Sequence, residues 1–264
     1  MRCHICDTES EFFAKATILK KYEVQYFKCG HCGFLQTEKP FWLREAYANP
    51  IVDIDIGPVN RAIVMAETTS ALILSFFNAH GKFVDYGGGY GIFVRRMRDI
   101  GLDFYYYDKY CQNQFAIGFD AMLGDRPEYE LLTAFEVFEH LEDPFTDIRS
   151  LLGFSKTVFF TTEIVPRRYP KPTEWWYYDL DHGQHISFFS RKSLAVLAER
   201  LNLNLYSRGS VHLLTEKKIS TRLYKFVVHP RFSLLIRYSL GKVLGVQSLL
   251  QGDFERGSGL TLGN

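Results

Sequence analysis

Four cysteines stand in two close pairs, Cys3-x-x-Cys6 and Cys29-x-x-Cys32, with 22 residues between the pairs. Each pair can straddle one metal ion on a tight turn. Four thiolates close a tetrahedral zinc site and leave no position for water. The chemistry expected there is structural. Such sites supply about 10–16 kcal/mol of apparent binding free energy to folding, enough to order a ribbon too small to fold alone. A fifth cysteine, Cys111, makes the count odd, and no secretory leader follows Met1. Both observations favour metal over disulfide. His4 and His31, inside the two pairs, are spare ligands at best.

A second group is built from glycine. Phe83-Val84-Asp85-Tyr86-Gly87-Gly88-Gly89-Tyr90-Gly91-Ile92 runs from an apolar strand through clustered glycines into a helix. Glycines at such a turn permit positive φ and let a ligand approach the backbone. The dinucleotide fingerprint needs glycine where Ile92 stands, and no Gly-Lys-Ser/Thr follows, so neither a dinucleotide site nor a P-loop fits. The pattern D-x-G-x-G-x-G suits a ligand without a pyrophosphate. About twenty residues on, Asp108 closes the next strand, where a carboxylate can accept both ribose hydroxyls.

Asp85 to Gly91 followed by Asp108 resembles the signature of class I S-adenosylmethionine (SAM)-dependent methyltransferases. Two further segments resemble that family: Leu132 to Pro144, with Glu136, Glu139 and His140, and Gly183 to Ser190, with His185. The resemblance covers roughly residues 80–205. It implies that Asp85, Gly87, Gly88, Gly89 and Gly91 border the methionine part of SAM and that Asp108 binds the ribose. It implies Glu136 beside the methyl donor. The region where adenine contacts would fall, near Phe119 and Asp120, carries no marked motif. Glu139 and His140 serve equally well to cap or orient the next helix, and Arg61 on the lead-in helix, a candidate partner for the SAM carboxylate, reads rather as a surface arginine. A zinc ribbon ahead of such a domain is similar to two groups, bacterial sugar or polysaccharide-pathway methyltransferases and ribosomal-RNA base methyltransferases. The latter usually carry Asn/Asp-Pro-Pro-aromatic where this chain has Phe135-Glu136-Val137-Phe138, which favours the sugar type.

After Thr161-Thr162-Glu163 comes an insertion with Arg167, Arg168, Lys171, then Trp175-Trp176-Tyr177-Tyr178, then Asp179, Asp181, His182, Gln184 and His185. Aromatic faces beside carboxylates and histidines suit a sugar, and the cations suit a nucleotide diphosphate. The sulfonium of SAM is already an activated leaving group. The enzyme must align an in-line attack, worth about 7–11 kcal/mol, and remove a proton from an alcohol, worth roughly 10²–10⁴-fold. Histidine suits that base at neutral pH. The expected base is His185, then His182, with Asp181 or Glu136 orienting it.

These groups need a scaffold. Short apolar runs at 83–86, 103–108, 130–135 and 156–162 alternate with helical periods, which signals parallel βαβ units. A lead-in helix is expected over 60–79, behind the breakers Pro50, Gly57 and Pro58. Asp143-Pro144 and Ser190 mark helix starts. The expected fold is α/β: a doubly wound, Rossmann-like, mostly parallel sheet with a small N-terminal zinc ribbon and a helical C-terminal tail. The expected divisions are 1–42 ribbon, 43–214 methyltransferase domain and 215–264 basic apolar tail. Residues 217–251 carry seven basic side chains and no acidic one, within a chain of net charge +1. The rest is therefore mildly acidic, which argues against nucleic acid over the main face. The tail is expected to pack on the main domain or a partner subunit, or to lie on an anionic membrane. The remaining expectations are a cytoplasmic protein, SAM and structural Zn²⁺ as bound groups, and a small sugar or sugar-nucleotide acceptor. The rivals are an RNA methyltransferase and a non-catalytic module that retains the SAM fold.

Overall fold

The computed structural model of the protein describes residues 1–48, 57–121 and 129–258. Pro50 lies outside the described residues. In chain order the elements are β1 Ser10–Ile18, β2 Tyr22–Cys29, β3 Leu35–Thr37, α1 Leu43–Ala46, α2 Pro58–Phe76, β4 Lys82–Tyr86, α3 Ile92–Ile100, β5 Asp103–Tyr107 and β6 Leu131–Ala134. They continue with α4 Pro144–Leu151, β7 Thr157–Thr161, β8 Ser187–Phe188, α5 Arg191–Arg200, β9 Asn204–Arg208, β10 Val211–Thr215, α6 Thr221–Val227, α7 Pro230–Val243 and α8 Leu250–Ser258.

One sheet has six strands in the order β5-β4-β6-β7-β10-β9. β4 pairs in parallel with β5 and with β6, while β9 and β10 form an antiparallel pair. This is the mostly parallel Rossmann-like sheet expected from the sequence. Four of its strands fall on the four apolar runs. The second sheet has the order β1-β2-β3-β8, antiparallel at every pair.

Helix ends follow their capping chemistry. The Asp143 carboxylate accepts the Thr146 N–H, with Pro144 in the first turn of α4. Ser190 accepts from the Ser193 N–H, and the Ser193 hydroxyl accepts from the Ser190 N–H. Among the described residues the tail is the three helices α6, α7 and α8. The His229 ring caps α7 ahead of Pro230, and Gly245, at φ 67°, follows its end.

By packing, the chain falls into two compact units that interleave in sequence. One joins Met1–Val52 with Ala134–Gly153 and Phe160–Lys217, and the other joins Asp53–Thr133 with Phe154–Phe159 and Lys218–Asn264. In the first unit, Val24, Tyr26, Leu35, Trp42, Tyr177, Tyr178 and Phe188 share one apolar core. In the second, α2 packs on α3 and α7.

An ion cluster ties the end of the chain to α3. Arg98 is 2% exposed, and its Nε and Nη2 donate to the two Asp253 oxygens, each at 2.8 Å. Asp103 and the Phe104 carbonyl accept from its Nη1. Removing one partner of a buried pair costs about 3–5 kcal/mol, because the other charge stays buried. Asp103 remains in Asp253→Ala, so we expect a loss near the lower end, about 3 kcal/mol, in urea unfolding. A loss below about 1 kcal/mol would mean that α8 opens and hydrates Arg98.

Candidate active site

The glycine loop belongs to the second unit. β4 ends at Tyr86, and the N–H groups of Gly87 and Gly88 both reach the Tyr107 carbonyl, at 2.8 and 3.2 Å. Gly87, Gly89 and Gly91 have φ of 75°, 56° and 85°, the region that favours glycine. Gly88 is needed for another reason: a Cβ there would lie 2.8 Å from the Tyr106 ring. Over Gly89 a Cβ would meet nothing within 4 Å, so the backbone at the loop crest is open to a ligand.

Two carboxylates frame the loop. Asp85 is buried and accepts the Thr133 hydroxyl at 2.6 Å. Burial pushes its carboxyl up to about 7 against the pull of that hydrogen bond, and Asp108 adds to the rise. Asp108 braces the loop: Oδ2 accepts the Gly89 N–H at 2.9 Å, while Oδ1 accepts from Tyr110 and Cys111 at 2.7 and 2.8 Å. Tyr106 Oη stands 2.8 Å from the carbonyls of both Gly89 and Cys111. Thr133 and Tyr106 were not singled out from the sequence. The signal for Thr133 was there, as the one polar residue of the buried run Leu131-Leu132-Thr133-Ala134. The Phe119 ring carries the Arg98 guanidinium at 3.6 Å, which occupies one of its faces. Arg61 is exposed. Burial pushes the Cys111 thiol up to about 11, which suits no nucleophile.

The first unit holds the glutamates and histidines. Glu136 follows β6 with φ 53°, a strained conformation for a side chain of its size. Thr161, at the end of β7, fixes it twice: Oγ1 accepts the Glu136 N–H at 2.9 Å and donates to Oε1 at 2.6 Å. A 3-10 turn then spans Phe138–His140, with Phe138 stacked on Phe160 at 3.8 Å. Glu139 is wholly buried, and neither carboxylate oxygen finds a hydrogen-bond partner of ordinary geometry among the described residues. Burial pushes its carboxyl up to about 8, and Glu136 adds to this. The neighbouring hydroxyls of Tyr177 and Thr162 pull it back, but they already meet each other at 3.2 Å.

His140 and His185 face one another edge to face, with ring centroids 4.9 Å apart. Nδ1 of His140 lies 3.1 Å from the Gln184 carbonyl, and Nδ1 of His185 lies 2.7 Å from that of Tyr177. A carbonyl only accepts, so both Nδ1 atoms carry the proton and both Nε2 atoms present a lone pair. Burial draws each ring down to about 4, and for His185 the neighbouring His140 adds to this. Both are neutral at pH 7. The ligand atoms of Glu139, His140 and His185 lie within 4.8 Å of one another, a donor set that can take a divalent cation.

Neither Asp181 nor Glu136 is hydrogen-bonded to His185 among the described residues; the Tyr177 carbonyl orients it. Asp181 is largely exposed, 3.8 Å from Lys20. His182 is paired instead with Asp179, at 2.5 Å. Of the four insertion aromatics, Tyr177 and Tyr178 are buried in the core and Trp175 packs against both. Trp176 is exposed. Arg167, Arg168 and Lys171 are exposed as well.

The cysteine quartet forms in the same unit. Cys3 and Cys32 have Sγ atoms 3.6 Å apart, Cys6 and Cys29 3.5 Å, and all four atoms lie within 4.8 Å of one another. Zn–S bonds of about 2.3 Å in a tetrahedron place sulfurs about 3.8 Å apart, so the group fits that ion. Backbone N–H groups of Ile5 and Cys32 point at the sulfurs of Cys3 and Cys29, each at 3.4 Å, which suits thiolates. His4 and His31 stand outside the quartet.

This ribbon also holds the His185 segment. β3 pairs with β8 as Leu35↔Phe188 and Gln36↔Ser187. Trp42 Nε1 donates to the Gly183 carbonyl at 2.8 Å, Gln184 Nε2 to that of Ala46 at 3.0 Å, and Ser190 Oγ to that of Cys32 at 2.8 Å.

The sequence matches a family described as a methyltransferase domain over residues 61–208, more than half of the chain. The chain belongs to that family. The methyltransferase domain expected from the sequence is therefore present. Solved structures similar to this methyltransferase include the mitomycin 7-O-methyltransferase MmcR, at 15% identity and TM-score 0.39, covering 57% of this chain and 53% of that one. Human N-acetylserotonin methyltransferase in complex with SAM is 10% identical with TM-score 0.42, covering 67% and 66%. The plantazolicin methyltransferase BpumL in complex with SAH is 15% identical with TM-score 0.45, covering 76% and 84%. The methyltransferase chain thus spans about half the length of the first of these. No curated protein sequence matches it.

Proposed function

We propose that this methyltransferase transfers the methyl group of SAM to a hydroxyl of a small polar acceptor, a sugar or sugar nucleotide of a glycan or secondary-metabolite pathway. When bound, SAM supplies an activated methyl on a sulfonium. The open backbone over Gly89 supports that donor, because a Cβ there would meet only the space a ligand needs. Asp85, Gly87, Gly88, Gly89, Gly91 and Asp108 would hold it. Glu136 remains in the proposed donor set on the resemblance alone.

The observation that carries the acceptor side is the neutral histidine pair. His185 offers an Nε2 lone pair at pH 7, and its Nδ1 proton is fixed by Tyr177. It would take the hydroxyl proton as the C–O bond forms and the methyl C–S bond breaks, leaving the donor sulfur as a neutral thioether. His182, with Asp179 on its Nδ1, is the proposed alternate base. Trp176 supplies an exposed face for a sugar ring. Cys3, Cys6, Cys29 and Cys32 would hold a structural zinc ion. The unpartnered Glu139 carboxylate supports a second reading, in which Glu139, His140 and His185 bind a divalent cation that orients the acceptor. Turnover that rises with added manganese(II) or iron(II) would favour it.

The test is incubation with isotopically labelled SAM and a panel of sugar nucleotides, read by mass spectrometry. A labelled sugar nucleotide is the expected product; label on RNA alone would reject the acceptor. Gly89→Ala isolates the donor site. Its methyl meets no protein atom, so the fold loses only about 1–2 kcal/mol for a side chain in the left-handed region. SAM affinity by calorimetry should fall about tenfold or more, a loss of at least about 1.4 kcal/mol. Wild-type affinity would remove the loop crest from the site.

A further inference from the structure

The basic tail is the motif that the proposed chemistry leaves unused. On α7, Ser233 is buried and Arg237 pairs with Glu67 on α2, so the inward cation is neutralised. The outward stripe is Arg231, Leu235, Tyr238 and Lys242, at i, i+4, i+7 and i+11. Leu235 and Tyr238 are 64% and 63% exposed, and Phe232 and Leu234 flank them, exposed too. α6 adds exposed Leu223 and Phe226 beside Arg222 and Lys225. The Phe226 ring stacks on Phe232 at 4.6 Å, which joins the two helices into one apolar ridge. Lys218, Arg222, Lys225, Arg231 and Lys242 have no acidic partner among the described residues.

We propose that the outward faces of α6 and α7 dock on an anionic lipid bilayer. Apolar side chains in a field of unpaired cations are what an interfacial helix presents: the rings and leucines enter the acyl boundary while long cations reach phosphate. α7, with 14 residues, is about 21 Å long and lies in the membrane plane. No helix among the described residues is long and apolar enough to cross a membrane. A second copy of the chain is the poorer occupant, because a two-fold contact would set this basic face against itself. The proposal is independent of the acceptor and of the donor site.

Flotation of the full chain with vesicles tests it. Vesicles of phosphatidylcholine with one-third phosphatidylglycerol should carry the protein up; phosphatidylcholine alone should not. A Lys or Arg at an anionic surface strengthens binding about five-fold. Arg231→Glu with Lys242→Glu should therefore weaken binding about 25-fold or more. Leu235→Ser with Tyr238→Ser should weaken it through the apolar share. All four residues are exposed, so the melting temperature should hold. Full recovery below the anionic vesicles would overturn the proposal, as would undiminished binding by the charge-reversed variant. Sedimentation showing a dimer that Leu235→Ser dissolves, or RNA retention lost on charge reversal with no vesicle binding, would assign the face to those partners instead.

Discussion

Cys29→Ser, or removal of zinc by a chelator, should abolish turnover while leaving SAM binding in place. The quartet is the strongest single constraint proposed for the ribbon, and such an ion contributes about 10–16 kcal/mol of apparent binding free energy. A small domain has about 5–15 kcal/mol of stability in all, so the ribbon strands should loosen without the ion. The damage should spread along β8. Once β3 loosens, Gly183, Gln184, Ser187 and Phe188 lose the partners that hold the chain on both sides of His185. The donor loop has its own bonds to Tyr107, Asp108 and Thr133 and should survive. Calorimetry with SAM, turnover, and bound zinc by mass spectrometry separate these outcomes. Trp42 adds a readout independent of activity: its buried indole bonds to Gly183, so its fluorescence should shift red as the ribbon opens. Full turnover by zinc-free protein would show that the ribbon holds without metal.

His185→Ala carries the second large effect. Loss of a positioned base should lower kcat by roughly 10²–10⁴-fold, with SAM affinity unchanged. The pH profile sharpens the test. A base with a pKa near 4 is unprotonated across the neutral range, so kcat/KM should rise through about pH 4 and be flat to pH 7. An acid limb near 6.5 would point to a solvated histidine instead. Stability carries the same signature. Between about pH 6.5 and 4 the unfolded chain binds protons at His140 and His185 that the fold excludes, so stability falls as pH falls through that window. Glu139 acts oppositely. Its folded carboxyl holds a proton up to about 8, so its contribution is present at low pH and is lost as pH rises towards 8. His185→Ala should make the acid slope shallower, with His140 and buried His212 keeping the rest, and leave the alkaline one.

Local chemistry was legible in the sequence, and long-range pairing was not. The strand before Gly87, the caps at Asp143 and Ser190, and the two C-x-x-C pairs depend on residues within a few positions of one another. Tyr177 and Tyr178 read as a platform for a sugar, yet Tyr26 and Phe188 enclose them, one from the ribbon and one from β8. Asp181 reads as a partner for histidine by proximity, but Asp179 has the geometry because its φ of 49° turns the chain back on His182. Only the fold could reveal that Arg98 and Asp253, 155 positions apart, share two hydrogen bonds. The polar residues that support the site, Thr133 and Thr161, sit in apolar strands where hydroxyls pass for ordinary β-formers.

The interleaving of the two units sets an order on the nascent chain. Residues 1–48 can gather an ion as soon as Cys32 leaves the ribosome, but β3 waits for β8, some 150 positions later. α3 in turn waits for Asp253, 155 positions beyond Arg98. Neither unit can finish folding until residues far along the chain have emerged, so a nascent chain exposes an unpaired β3 edge over some 150 positions of elongation. Ribosome-associated chaperones that cover this edge should therefore raise the yield of folded protein.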